Sequence, residues 1–404
     1  ECYGCLGGMA TVGGVNPFMP NHLDGRRLDS GVFQDWCEQM AALGGLADDG
    51  RTFNPEVAKL AAERLCLEAG VDLLYHATLD LPLVREQRIE ALTLHSKSGL
   101  VAVRGRMYVD ATGDADLAAR AGCPCEYGRD EDHLTQPMTA NFDLGGVDTE
   151  RMPDRAEINR LYDAAKAAGK ITCPRENCLW FRTTEPGRIH FNTTRVVKHD
   201  ATEVESLSNA EIESRRQIIE YFTWLRAEVP GFEQSYLFSI GQHIGVRESR
   251  RVVGHAYLTR ADYERFAKYP DGICRCRYPI DIHSPTGAGT ELIHMPKDEW
   301  YEIPYGCLVP QGIENLLIAG RPISVDHAVH SSMRVMPPAC TIGQAAGVAA
   351  AMSLAVGCAP RQLDGVAVKQ ALIEQGVWLV SGDEQVGPGG DLKDTSSRST
   401  RLTA

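Results

Sequence analysis

Arg334 stands two residues ahead of Met336-Pro337-Pro338, where a long uncharged segment opens, and its planar fork of donors suits a bidentate grip on a carboxylate. From Ala339 to Leu354 no residue is charged, and a helix there would present free N–H groups at its start, a place for negative charge. His283, His327 and His330 are the acid–base candidates, since taking hydride from an alcohol carbon needs a base for the accompanying proton. Each can equally be a structural histidine. Arg247, Glu248, Arg250 and Arg251 read either as a solvated face or as a buried, substrate-facing set, from which Arg250 is carried forward. Cys2-x-x-Cys5 has the spacing of a redox pair or of half a metal site. Cys123-x-Cys125 and Cys274-x-Cys276 do not complete a four-thiolate set, so no metal ligands are assigned.

The elements that must position these residues are partly legible. Leu316 to Ala319 is an apolar run suited to a strand buried on both faces, stopped by Gly320-Arg321 and followed by a polar loop. Pro337 and Pro338 suit the first turn of a helix, where a missing N–H costs nothing. A membrane span is not expected, because the apolar stretch is short, holds Thr341 and Gln344, and opens on two prolines. Near the start, Gly7-Gly8 and Gly13-Gly14 flank Met9, Ala10 and Thr11, a composition that lets backbone approach a ligand. A helix is predicted over 29–43, ended by Gly44-Gly45. A second has Asn54 as cap, Pro55 as first residue, Val57, Leu60, Ala61 and Leu65 on one face, and Gly70 as stop. Strands are predicted over 71–79, 83–95 and 100–109, the last running into Asp110-Ala111-Thr112-Gly113-Asp114 and a short helix over 115–121. Ser208 and Glu211 have the spacing of a capping box for a helix ending at Pro230, with Ile212, Ile218, Phe222 and Leu225 inward.

With 404 residues, 43% of them hydrophobic, the chain can bury a sizeable core and is expected to form two domains. A formal charge of −13 argues against nucleic acid or an anionic membrane as main partner and for a small-molecule substrate. Thirteen cysteines, odd in number and scattered, point to a reducing compartment, the cytoplasm by default. The chain opens on ECYGCLGG without an initiator Met, which leaves a processed start open. The division expected is 1–125 and 303–380 as one discontinuous domain, 126–302 as a second, substrate-facing one, and 381–404 as a disordered tail. Oligomeric state is not written in any of these features.

Six ordered segments carry a family likeness: GGMATVGGVNPF from Gly7, VDATGDADLAARAG from Val109, GVRESRRVVGHAYLT from Gly245, YPIDIHSPTG from Tyr278, YEIPYGCLVPQGIENLLIAGRPIS from Tyr301 and RVMPPACTIGQAAG from Arg334. On these the chain resembles the FAD-dependent oxidoreductases of the glutathione reductase type over nearly its whole length. The resemblance implies an α/β fold, a Rossmann-like FAD-binding domain with an inserted α+β substrate domain, and hydride exchange between a small polar substrate and flavin N5. It implies that Glu1, Gly7, Gly8, Thr11, Gly113, Asp114, Gly320, Arg321, Met336 and Gln344 contact FAD, and that Arg334, His327, His283 and Arg250 serve the substrate. Asp114 would hold the ribityl or pyrophosphate region, a role compatible with capping a helix. Two other readings stand beside it: an electron-transfer flavoprotein working with protein partners, and a flavin-free remnant acting as a binding module.

One departure is plain. No glycines in the chain have G-x-G-x-x-G spacing, the turn that cradles the pyrophosphate in such folds. The FAD-binding domain is therefore expected to be N-terminally truncated, with Glu1 standing where the ribose-holding acid would follow the glycines by about 20 residues. Weak FAD binding is expected of the chain as written. Relatives among the heterodisulfide reductase flavoproteins carry 4Fe-4S clusters, and a cluster is not expected here.

Overall fold

Local signals set the first elements. In the computed structural model, which describes residues 1–23 and 25–379, β1 (His22–Leu23) and β2 (Arg26–Arg27) pair as a short ribbon. The segment expected to be a disordered tail lies outside the described residues. α1 (Val32–Ala42) buries Phe33, Trp36, Cys37 and Met40. α2 (Pro55–Glu68) begins as its sequence predicts, with the Asn54 side chain accepting from the N–H groups of Glu56 and Val57. Its inward residues are Ala58 and Ala61, however, and Leu60 is 60% exposed.

The predicted strand over 71–79 does not form as such: the chain is strand only from Thr78, and Val71 and Leu74 stay exposed. β3 (Thr78–Arg85), β4 (Arg88–Ser96) and β5 (Gly99–Val103) make an antiparallel meander. Pro82 lies inside β3 at a register shift instead of dividing two strands, and the predicted 83–95 strand is broken at Glu86-Gln87, a turn with φ 49° and 60°. β6 (Tyr108–Asp110) is a separate strand, followed by α3 (Asp116–Arg120) and β7 (Cys125–Tyr127).

A second unit follows. β8 (Phe142–Gly145), α4 (Arg155–Ala167), β9 (Trp180–Arg182), β10 (Ile189–Phe191), α5 (Val204–Glu228) and β11 (Tyr236–Ile240) build an antiparallel sheet of order β11-β8-β10-β9 with a core drawn from residues 138–246. The Ser208–Glu211 capping box is not formed. The helix starts at Val204, Ser208 Oγ donates to the Val204 carbonyl at 2.6 Å, and the Glu211 carboxylate accepts from the Ile244 N–H at 2.7 Å. Ile218, Tyr221, Trp224 and Leu225 face inward, while Ile212 is exposed.

β12 (Arg250–Val252) pairs with β7, and after α6 (Arg260–Glu264) come β13 (Gly272–Cys276), β14 (Ile280–His283), β15 (Thr290–Ile293) and β16 (Tyr301–Pro304). β17 (Leu316–Ile318) then pairs in parallel with β6, Leu317 opposite Val109 and Ile318 opposite Asp110. The chain closes through α7 (His327–Met333), α8 (Met336–Val356) and α9 (Gly365–Glu374). Val252, Ile273, Tyr301, Leu317 and Ile342 share one core, so the segment from β12 to β16, expected with the second domain, packs with the first. The reason is β13, buried at every residue and packed on α8.

The loop expected between Gly320 and the last helix contains α7, whose N-cap Asp326 accepts from the Val329 N–H at 2.7 Å. Among the described residues α8 is the one helix long and apolar enough to cross a membrane, and it packs against β6, β13 and β17. The fold is mixed α/β.

Candidate active site

The carboxyl ends of the parallel pair β6 and β17 build the centre of the site, the place where open α/β sheets bind ligands. Asp110, buried at the end of β6, accepts from the Thr112 N–H at 3.0 Å, Thr112 Oγ1 at 2.7 Å and the Ala118 N–H at 2.8 Å. These bonds pin the turn that presents Asp114, and Gly113 at φ 85° permits its shape. Asp114 Oδ1 accepts from Arg321 Nη2 at 2.7 Å and from Ser249 Oγ at 2.5 Å. Arg321 leaves β17 directly after Gly320, which has φ 77°. Arg250 Nη1 donates to the Asp114 carbonyl at 3.2 Å and to Asp116 Oδ1 at 2.9 Å, so it braces this turn.

The 247–251 run is not a solvated face, since Glu248, Ser249 and Arg251 are buried. Glu248 Oε1 accepts from Arg251 Nη1 at 2.6 Å and pairs with His327 Nδ1 at 2.8 Å, and its Oε2 accepts from the Gln136 N–H at 2.9 Å. A carboxylate can only accept, which places a proton on Nδ1, so in the neutral ring the lone pair is on Nε2. His327 Nε2 has no protein hydrogen-bond partner among the described residues, and the side chain remains 15% exposed. His330, one turn further along α7, is fully buried with neither ring nitrogen bonded. Burial pushes its pKa well below the ordinary range, and the positive charges of Arg251, Arg321 and Arg334 push the same way.

Arg334 caps the carboxyl end of α7. Its Nη2 donates to Gln136 Oε1 and to the Asp281 carbonyl, both at 3.4 Å, while its Nε is buried without a partner. On β14, His283 lies between Asp281, 3.5 Å from its Nε2, and Arg195, whose Nη2 donates to Nδ1 across 2.9 Å. Burial lowers the His283 pKa to about 3, with the nearby Arg247 charge adding to it. Its lone pair is thus taken by a guanidinium, which removes His283 from the acid–base candidates.

Other expected site residues are placed as follows. Gly7 and Gly8, at φ 104° and 51°, open a turn that Thr11 Oγ1 closes on the Leu6 carbonyl at 2.7 Å. That loop leans on the second unit through Asn141 Nδ2 donating to the Gly13 carbonyl at 3.2 Å. Glu1 turns on its own loop, its Oε1 accepting from the Tyr3 N–H at 3.0 Å. Met336 begins α8 and packs against the aromatic core of Phe18, Phe33 and Trp36. Gln344 is committed to helix packing: Oε1 accepts from the Val32 N–H at 3.1 Å and Nε2 donates to Gln375 at 3.3 Å. Sequence reasoning did not single out Ser249, Gln136, Asp281 and Arg195, and it carried Arg250 forward from the 247–251 run where the structure points to Glu248. All thirteen cysteines are free, and among the described residues no group of three metal-ligating side chains is found. A surface groove of about 540 Å³ between Arg85, Arg106 and Gly357 holds none of these groups.

Residues 1–372 match the family model described as FAD dependent oxidoreductase, and the chain belongs to that family. No curated protein matches it. Among solved structures, p-nitrophenol 4-monooxygenase from Pseudomonas putida is similar at 12% identity and TM-score 0.32, over 59% of this chain and 53% of that one. A geranylgeranyl bacteriochlorophyll reductase-like protein from Thermoplasma acidophilum stands at 10% and 0.37, over 80% and 59%. A flavin-dependent brominase stands at 11% and 0.38, over 81% and 63%. The chain thus spans between about half and two thirds of the length of these structures.

FAD is the family's cofactor, and the described residues fit its flavin end. Two Gly turns meet there, α8 starts without a side-chain cap, and His330, Arg334 Nε and Gln136 Nε2 are buried polar groups without protein partners. The sequence does not contain the glycine-rich turn for the pyrophosphate.

Proposed function

We propose that the chain is an FAD-dependent oxidoreductase that acts on a small polar substrate, where α7 and β14 face the 138–246 unit, with His327 as the proton acceptor. The backbone at Gly113 and Gly320, the start of α8 and the Gly7-Gly8 turn would hold FAD, with Asp114 and Arg321 fixing the two turns to each other. FAD when bound supplies a two-electron acceptor or donor for hydride. The unit built on β8 to β11 is the substrate domain of this reading, inserted into the FAD-binding domain, whose finer likeness is to the glutathione reductase type. The cytoplasm is its proposed compartment, on the odd number and scatter of the cysteines.

The observation that carries the proposal is the 2.8 Å pair of Glu248 and His327. A buried carboxylate holding Nδ1–H leaves Nε2 as a base, and its charge stabilises the imidazolium formed when the substrate hydroxyl gives up its proton. Arg251 Nη1 holds Glu248 in place by donating to its Oε1 at 2.6 Å. Arg334, with an unused Nε, orients the substrate from the opposite end of α7. The test is to load the full chain with FAD and follow flavin absorbance without oxygen against 2-hydroxy acids, polyols, sugars and amines. Bleaching by one of these classes supports the reading. Flavin that stays bound but is reduced by none of them overturns it in favour of electron transfer with protein partners.

A further inference from the structure

Four arginines converge where the 138–246 unit meets β14 and α7. Arg195 and Arg175 come from the first, Arg247 from the strap that leaves it, and Arg334 from the end of α7. Arg195 is 1% exposed and Arg175 4%, so neither charge is dissolved in water. Arg247 donates from Nη1 to the Pro137 carbonyl at 2.7 Å and to Thr139 Oγ1 at 2.6 Å, both neutral acceptors, and forms no ion pair among the described residues. Burial pushes the Arg247 pKa well below its ordinary value, and the charges of Arg334, Arg175 and Arg195 press on it further.

The acids at hand are two. Glu176 pairs with Arg195 at 2.9 Å, and Asp281 lies 3.9 Å from Arg334 while accepting from Tyr278 OH at 3.1 Å. His283 is neutral, because its Nδ1 accepts from Arg195. The group therefore carries an excess of two positive charges, and it keeps three buried donors unpaired: Arg334 Nε, Arg175 Nη1 and Gln136 Nε2. Buried guanidinium without a counter-charge is costly, and a carboxylate is the anion whose two oxygens match its fork.

We propose that the substrate is an organic dianion, a dicarboxylate, with one carboxylate taken by Arg334 and Gln136 and the other by Arg247 and Arg175. This deepens the reading of the His327 site as the place of reaction and rests on it. The carbon to be oxidised or reduced then lies between two anchored ends. Specificity follows from the same charges: a monoanion leaves one positive charge buried and unpaired, and a neutral diamide leaves both.

The experiment is calorimetric titration of the full chain with succinate, propanoate and succinamide, with and without FAD. Succinate is expected to bind, propanoate at least about tenfold more weakly, and succinamide not measurably. Arg334→Gln should weaken succinate binding about ten- to a hundredfold, and Arg334→Lys should recover little of it. Arg247→Gln should act alike; a melting curve on each variant shows whether it is folded, and Arg334, less buried, serves if Arg247→Gln is not. Succinate binding no tighter than succinamide, or binding unchanged in the folded variants, overturns the proposal. The two readings fail separately. Succinate binding without flavin bleaching by any 2-hydroxy dicarboxylate keeps the dianion site and removes the redox role, whereas bleaching by neutral alcohols alone does the reverse.

Discussion

Arg321 donates from Nη2 to Asp114 Oδ1 across 2.7 Å, tying the turn after β17 to the turn after its parallel neighbour β6. Ser249 Oγ shares the same oxygen at 2.5 Å, so one carboxylate joins three distant segments. Asp114→Ala should cost about 1–3 kcal/mol in stability, because it leaves Arg321 without its counter-charge. Flavin content should fall with it, while molecules that keep FAD turn over at a near-normal rate. Flavin absorbance per protein and turnover per flavin check this; full flavin with lost turnover would move Asp114 into the chemistry.

Glu248 has no exposure and balances Arg251, itself buried, at 2.6 Å. Glu248→Gln keeps the shape but removes the nearer of the two carboxylates beside the buried Arg251, leaving Glu126 at 3.6 Å from its Nη2, a loss of about 1–3 kcal/mol. Urea unfolding measures it. A change within about 0.5 kcal/mol, the scale of surface substitutions, would show that water or another group already serves Arg251.

Much of the scaffold was legible because its signals are local. Asn54-Pro55 starts α2 by one side chain and one fixed dihedral, and Leu316 to Arg321 with the prolines of α8 reads as strand, turn and helix. The failures are tertiary. Ser208 and Glu211 have the right spacing for a cap, but Glu211 is used by the Ile244 N–H, and packing extends α5 upstream. Val71 to His76 has strand composition and pairs with no strand among the described residues. The site was harder still: Glu248 and His327 are 79 positions apart, and only folding reveals that one orients the other. His283 has the residue type of a base, but Arg195, from the other unit, occupies its lone pair.

His283 and His330 are both held neutral by the fold, His283 with its pKa lowered to about 3 and His330 well below the ordinary range. Unfolded, each protonates near 6.5. Below that pH the unfolded chain binds protons the fold refuses, so stability falls as pH drops from about 6.5 toward 3, by about 1.4 kcal/mol per pH unit per group. His330→Gln should remove one group's share of that slope. Urea midpoints across the acid range are the check, and parallel curves for the two proteins would mean that His330 takes up its proton in the fold.

His327 carries the central claim, and one substitution isolates it. His327→Gln keeps a polar side chain beside Glu248 but cannot accept a proton, so general-base catalysis worth about a hundred- to ten-thousandfold should be lost. The measurement is the rate of anaerobic flavin bleaching, by the substrate class that reduces the unaltered protein, in His327→Gln at matched flavin content. A drop of at least about a hundredfold, with FAD still bound and the melting temperature little changed, is the expected result. Equal bleaching rates in the two proteins would contradict the assignment of His327 as the base.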